Sequence, residues 1–169
     1  SATTAFGLAG FIGTGVMGET LLAGLIRAGW SPDDLVAADR RDERRAELER
    51  RYGVSTGSNA EAAAQAETVV LVVKPQDVPE VLPEIAEHLA GGRLLVSLCA
   101  GITTARLEAG LPAGVPVATV ACGSAGPTNA ALLAVQILGT ADESLRAKFH
   151  DYKKELRAKV EKANEKIHQ

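Results

Sequence analysis

Short apolar runs alternate with amphipathic stretches along most of the chain. Leu8–Ile12 is an apolar run of strand length. Val16–Ala28 follows it with helical spacing through Met17, Leu21, Leu22, Leu25 and Ile26. Leu35–Ala38 predicts a second strand, Arg41–Tyr52 a charged helix and Asn59–Ala66 a short Ala-rich one. Thr68–Val73 (TVVLVV) is continuously apolar, as strands buried on both faces of a parallel sheet are. Gln76–Leu89 predicts a helix, Leu94–Leu98 a fourth strand, Thr103–Leu111 a short helix and Val115–Ala121 a fifth strand. Thr128–Leu138 predicts a helix, with Pro127 suited to its first turn. From Asp142 onward a charged helix carries an apolar stripe of Leu145, Phe149, Tyr152, Leu156, Val160, Ala163 and Ile167. Strand–helix alternation of this kind predicts an α/β fold. The expected form is a doubly wound, Rossmann-like parallel sheet of about five strands, order 3-2-1-4-5, with a long C-terminal helix.

Composition adds a few bounds. The 169 residues suffice for one domain with a core, so 1–169 is expected to form a single α/β domain. With 46% hydrophobic but 4% aromatic residues, that core must be aliphatic. A net charge of −3 argues against nucleic acid as a partner. No apolar run approaches the roughly 20 residues of a membrane helix, and the first residues lack a basic-then-apolar leader pattern. Cys99 and Cys122 each end an apolar run and read as small buried hydrophobes in a reducing cytoplasm, although strands carrying them could also bring them face to face.

Candidate chemistry begins with GFIGTGVMGE, residues 10–19. Gly13, Gly15 and Gly18 form a G-x-G-x-x-G pattern between a predicted strand and a predicted helix. Gly13 suits the tight turn, Gly15 a close approach of backbone to a pyrophosphate, and Gly18 close packing of helix on strand. The helix N-terminus would then offer unpaired N–H groups and a favourable dipole to the phosphates, with Thr14, Val16 and Met17 counted among the cofactor-binding residues of the turn. Asp39 stands about 20 residues on, where a ribose hydroxyl would lie. Arg40 and Arg41 follow it and suit a 2′-phosphate, so NAD and NADP are both open. Arg44, Arg45, Arg50 and Arg51 read as a solvated helix face.

GFIGTGVMGETLLAGLIRAG, DLVAADRRDERRAEL, VVLVVKPQDV and LLVSLCAGITTARLE together resemble pyrroline-5-carboxylate reductase, the NAD(P)H enzyme that closes proline synthesis. The likeness covers about residues 8–112. It implies that Gly13–Gly18 cradle the pyrophosphate, that Arg40 and Asn59 lie near the adenosine, that Val73, Lys74 and Pro75 line the cofactor, and that Ala100 and Gly101 approach the nicotinamide. Val16 and Thr20 depart from the Asn and Ala usual in that family. Residues from about 110 to 169, including VPVATVA, NAALLA and QIL, resemble the end of class I carboxyaminoimidazole ribonucleotide mutase, a flavodoxin-like enzyme of purine synthesis.

Taken together, the two likenesses lead to the expectation of an engineered chimera. Residues 1–112 would be a Rossmann-like dinucleotide-binding part, and 113–169 a mutase-type strand and helices. Little or no catalysis is expected and no catalytic residue is assigned, because neither the helical substrate domain of the reductase nor the active-site segments of the mutase are in the chain. The alternatives are an active pyrroline-5-carboxylate reductase-like oxidoreductase and a purely structural scaffold. His88, His150 and His168 are spread over predicted helices without ligand partners, so no metal site is expected. Ser97 and Cys99 end a strand without a visible base. The loop Cys122–Asn129 reads as a turn and helix cap. The last helix, about 40 Å long at 1.5 Å per residue, would project in part and support a homodimer.

Overall fold

The computed structural model describes residues 7–120, 128–129, 132–133, 135–136, 139–140 and 142–165. The chain divides into two compact units, Ser1–Cys122 and Gly123–Gln169. The division falls at residues 122–123, whereas the character of the sequence shifts near Leu111–Gly114.

In the first unit the apolar runs pair in parallel as a six-stranded sheet of order β3-β2-β1-β4-β5-β6. The strands are β1 (Ala9–Ile12), β2 (Leu35–Ala38), β3 (Ser55–Gly57), β4 (Thr68–Leu71), β5 (Leu94–Ser97) and β6 (Val117–Thr119). The helices between them are α1 (Val16–Arg27), α2 (Asp42–Tyr52), α3 (Asn59–Gln65), α4 (Val78–Ala86) and α5 (Thr104–Glu108). The expected doubly wound order is the one found, once Ser55–Gly57 is counted as the third strand. That strand is short, polar and at the edge, so the hydrophobic pattern does not announce it. The helix expected over Gln76–Leu89 is α4 flanked by 3-10 turns at Pro75–Asp77 and Glu87–Leu89.

Side chains alternate between the two faces of the sheet with period two. Phe11, Leu35 and Ala37 enter one core layer with Leu22 of α1, Leu48 of α2 and Val54. Ile12, Val36, Ala38, Val69 and Leu71 enter the other with α3, α4 and Leu107 of α5. Both faces of β1 and β2 are therefore buried. Each large side chain shut away in this manner, such as Ile12, Leu22 or Leu35, contributes about 1.5–3 kcal/mol.

Small residues set the spacing of one layer. A Cβ on Gly10 would stand 2.8 Å from the Ala66 Cβ and 3.0 Å from the Ala62 carbonyl oxygen, so α3 rests directly on the β1 backbone. Ser58 and Glu61 cap α3 reciprocally: the Ser58 hydroxyl accepts from the Glu61 N–H at 3.2 Å, and the Glu61 carboxylate accepts from the Ser58 N–H at 2.8 Å.

The second unit contains the long helix α6 (Glu143–Glu165). Asp142 caps it, its carboxylate accepting from the N–H groups of Ser144 at 2.8 Å and Leu145 at 3.1 Å. The described residues of the expected helix 128–138 are helical. Asn129, Leu132, Leu133 and Gln136 among them border a cavity of about 280 Å³ with Phe149, Tyr152 and Leu156 of α6. Farther along α6, Val160 is 59% exposed. Among the described residues no helix is long and apolar enough to cross a membrane.

Gly10→Val should push α3 off the sheet and cost about 1–3 kcal/mol, lowering the thermal midpoint by several degrees. Circular dichroism melting checks this, and an unchanged midpoint would contradict the close approach.

Candidate cofactor site

The register pairs Ile12 with Ala38 and with Leu71, Ala38 with Gly57, and Leu71 with Ser97. Five neighbouring strands therefore end level with one another at the carboxyl edge of the sheet. Past β3 the chain crosses from one side of β1 to β4 on the other, so the turn after β1 lies at the switch point where open α/β sheets take ligands.

Gly13 has φ +92°, and its N–H donates to the Ala38 carbonyl at 3.2 Å. Thr14 is fully buried and its hydroxyl donates to the same carbonyl at 3.1 Å. At Gly18 a Cβ would lie 2.2 Å from the Gly13 oxygen, so the first turn of α1 sits hard against the loop. Gly15 is the opposite case, with no atom within 4 Å of its Cβ position. It begins α1 without a side-chain cap, leaving first-turn N–H groups to an incoming acceptor. Val16 is 87% exposed, so the residue that departs from the reductase pattern makes little contact within the loop. Met17 is also exposed.

Arg44 does not lie on a solvated face. Its side chain is 13% exposed and reaches from α2 to the glycine turn. Nε and Nη2 donate to the Thr14 carbonyl at 3.1 and 3.0 Å. Nη2 also meets the Glu19 carboxylate, and Nη1 donates to Glu47 at 2.7 Å. Glu19, in the first turn of α1, accepts further from the Tyr52 hydroxyl at 2.7 Å and from Arg51 at 2.8 Å. Those donors, Tyr52 foremost and then Arg44, hold the Glu19 carboxyl below its ordinary value. Arg45 is also engaged, donating to the Asp39 carbonyl at 2.7 Å and pairing with Asp42. A sequence signal exists for Arg44: it lies one turn before Leu48, the buried residue of α2, and so on the inward face at the carboxyl edge.

Asp39 follows β2 at the same edge. Burial acts to raise its carboxyl, but hydrogen bonds from the Arg41 side chain and backbone outweigh this and hold it below its ordinary value. The Arg41 N–H donates at 3.0 Å and Nε at 3.1 Å. Arg40 instead turns to Glu80 of α4 at 3.2 Å, an exposed pair. Asn59 follows β3 at this edge, is 8% exposed, and donates its amide to Glu84 at 2.6 Å.

The exits of β4 and β5 are tied together. The Cys99 thiol meets the Val73 carbonyl at 3.3 Å, and the Cys99 N–H donates to the buried Ser97 hydroxyl at 3.3 Å. Val73 packs against Gly13, while Lys74 is exposed just before the turn at Pro75. Ala100 and Gly101 are exposed, Gly101 with φ +69° and open space at its Cβ position. His88 lies 3.5 Å from Glu87, His150 is exposed on α6, and among the described residues no cluster could hold a metal ion. His168, Cys122 and most of the loop Cys122–Asn129 lie outside the described residues.

A family model described as "NADP oxidoreductase coenzyme F420-dependent" matches residues 9–101. A second, described as "AIR carboxylase", matches residues 99–159. Pyrroline-5-carboxylate reductase of Mycobacterium tuberculosis is 42% identical over 120 residues, which are 66% of this chain and 41% of that protein. One from Bacillus spizizenii is 30% identical over 139 residues, 80% of this chain and 47% of its own length. Among solved structures, the Coxiella burnetii pyrroline-5-carboxylate reductase aligns with a TM-score of 0.65 and 29% identity, covering 69% of this chain and 43% of that one. The Plasmodium falciparum pyrroline carboxylate reductase, with NADP bound, aligns with a TM-score of 0.59 and 26% identity, covering 68% and 41%. The chain thus spans about two-fifths of the length of the first curated relatives it matches.

These alignments correct the expectation of an engineered two-part chimera with a flavodoxin-like, purine-synthesis end and little catalysis. An alignment over 80% of the chain has to cross residues 110–113 wherever it begins. Likeness to one kind of reductase runs through that point, and β6 beyond it pairs with β5 in the same parallel sheet. The alternative, a reductase-like oxidoreductase, accounts better for the chain.

Because the Glu19 carboxyl is lowered in the folded state, the unfolded chain binds the proton more readily, and stability from this group is present above its ordinary pKa of 4.5. It is lost as pH falls through the lowered folded value. Glu19→Gln should therefore melt below the wild type at pH 7, with the gap closing progressively below about pH 4.5. Melting curves across that range check this, and a gap independent of pH would contradict it.

Proposed function

We infer the function from one premise: the chain belongs to the family described as NADP oxidoreductase, coenzyme F420-dependent. It binds NAD(P). We propose that its first unit is the cofactor-binding part of an NAD(P)H-dependent reductase of the pyrroline-5-carboxylate reductase kind, acting on the C=N bond of a small cyclic imine. The observation that carries this is the open backbone at Gly15, at the start of a helix whose N-terminal N–H groups await an acceptor.

In this proposal the turn of Gly13, Thr14, Gly15, Val16, Met17 and Gly18 cradles the pyrophosphate through the helix dipole and the backbone N–H groups that follow Gly13, whose own N–H is held by Ala38. Asp39, Arg40 and Asn59 face the adenosine end. A 2′-phosphate would compete with Glu80 for Arg40, whereas a 2′-hydroxyl would compete with Arg41 for Asp39, so both coenzymes stay within reach. Val73 and Pro75 line the path, Lys74 offers a cation beside it, and Ala100 and Gly101 leave room for the nicotinamide. The cofactor, when bound, supplies hydride. This chain's residues orient it and shield one side of it with the sheet edge, and orientation is where much of such a rate enhancement arises. A cytoplasmic location belongs to the same proposal.

We also propose that the protein forms a homodimer through α6, since Leu156 and Val160 leave apolar surface exposed there. Light scattering should give twice the chain mass, and Val160→Glu should shift it toward the monomer. A monomeric mass for the wild type at high concentration would contradict this.

Calorimetric titration with NADPH should show saturable binding, and NADPH should be oxidised when 1-pyrroline-5-carboxylate is added. Gly15→Asp, whose Cβ meets open space and so spares the fold, puts a carboxylate where the diphosphate would lie. It should weaken binding about 100-fold or more. Absence of wild-type binding at millimolar NADPH would overturn the proposal.

A further inference from the structure

The buried part of the site contains a device that the cofactor assignment does not account for. Arg44 lies 30 residues from Thr14 in sequence, yet two of its guanidinium nitrogens converge on the Thr14 carbonyl. Of its other donors, Nη2 also meets Glu19 and Nη1 reaches Glu47. With its side chain 13% exposed, the guanidinium is held on several sides. A surface cation has no need of such placement.

Two consequences follow from elementary chemistry. The Thr14–Gly15 peptide is planar and trans, so the Gly15 N–H points opposite to the Thr14 carbonyl. A fork that pins the carbonyl toward α2 thereby fixes the N–H pointing away from α2, and the adjacent positive charge polarises that N–H further. Second, Glu19 is a carboxylate in the first turn of α1, favourable to the helix dipole but repulsive to an anion arriving at the same helix end. Arg44, Arg51 and Tyr52 together occupy it.

We propose that Arg44 is a positioning residue for the dinucleotide, aiming the Gly15 N–H at the diphosphate while neutralising Glu19. The proposal rests on the cofactor-binding reading above. Arg44 does not touch the cofactor; it acts through the loop.

The test is NADPH titration of the full chain as wild type, Arg44→Met, Arg44→Lys and Arg50→Met, each with its melting curve. Arg44→Met should weaken NADPH binding about tenfold or more. Arg44→Lys keeps the charge beside Glu19 but loses the two-pronged hold on Thr14, so it should recover only part of the affinity. Arg50→Met removes the same charge from an exposed position on the same helix and should stay within about twofold. For Arg44→Ala, millimolar guanidinium should restore affinity where equal sodium chloride does not, a rescue that mere loss of stability would not show. Wild-type affinity in Arg44→Met, or an equal loss in Arg50→Met, would overturn the proposal. Should Arg44→Met fail to fold, full affinity in Arg44→Lys would overturn it equally. A wild type that takes up no NADPH removes the cofactor reading, and this one with it. Uptake by the wild type with no effect at Arg44 removes this one alone.

Discussion

Among the described glycines, the tightest approach to another backbone atom is that of α1 to the glycine turn. A methyl group at Gly18 would lie 2.2 Å from the Gly13 carbonyl oxygen, a distance no packed atom tolerates. That contact fixes the start of α1 against the end of β1. It brings the positive end of the helix to the carboxyl edge of the sheet and leaves Gly15 facing open space. The buried Thr14 hydroxyl and the Gly13 N–H secure the turn to β2 through one shared carbonyl, Ala38. Geometry useful to an anion is thus a by-product of packing glycine on backbone.

Electrostatics at this edge are balanced rather than uniformly basic. Asp39 and Glu19 are carboxylates close to where an anionic ligand would lie, and each is held below its ordinary pKa by its donors, Arg41 for Asp39, and Tyr52 and then Arg44 for Glu19. Such pairs between partly buried groups cost conformational freedom and desolvation, and their net contribution to stability is modest. Their value lies in orientation: Arg44 connects α2, α1 and the turn through one guanidinium, so that a rotation of α2 would be felt at the loop.

Much of the fold was legible in the sequence. The runs Leu35–Ala38 and Thr68–Val73 are apolar without alternation, as burial on both faces requires, and the glycine spacing marks the turn between β1 and α1. Ser55–Gly57 was not legible, because an edge strand of three polar or small residues lacks periodicity. Arg44 was misread as solvated, since local charge patterning suggests partners three or four residues away, not 25 or 30. The altered character beyond Gly114 suggested a foreign second half. Local likeness over a short segment cannot fix the descent of a whole chain, and the longer alignment to reductases crosses that point.

The central claim is that backbone N–H groups of the turn after β1 receive the diphosphate. Amide chemical shifts of the isotope-labelled chain during addition of NADPH test it most directly. The account predicts saturable shifts at Gly13, Gly15, Val16 and Met17, larger than those on the far end of the sheet. Saturation with these four amides unmoved would contradict it.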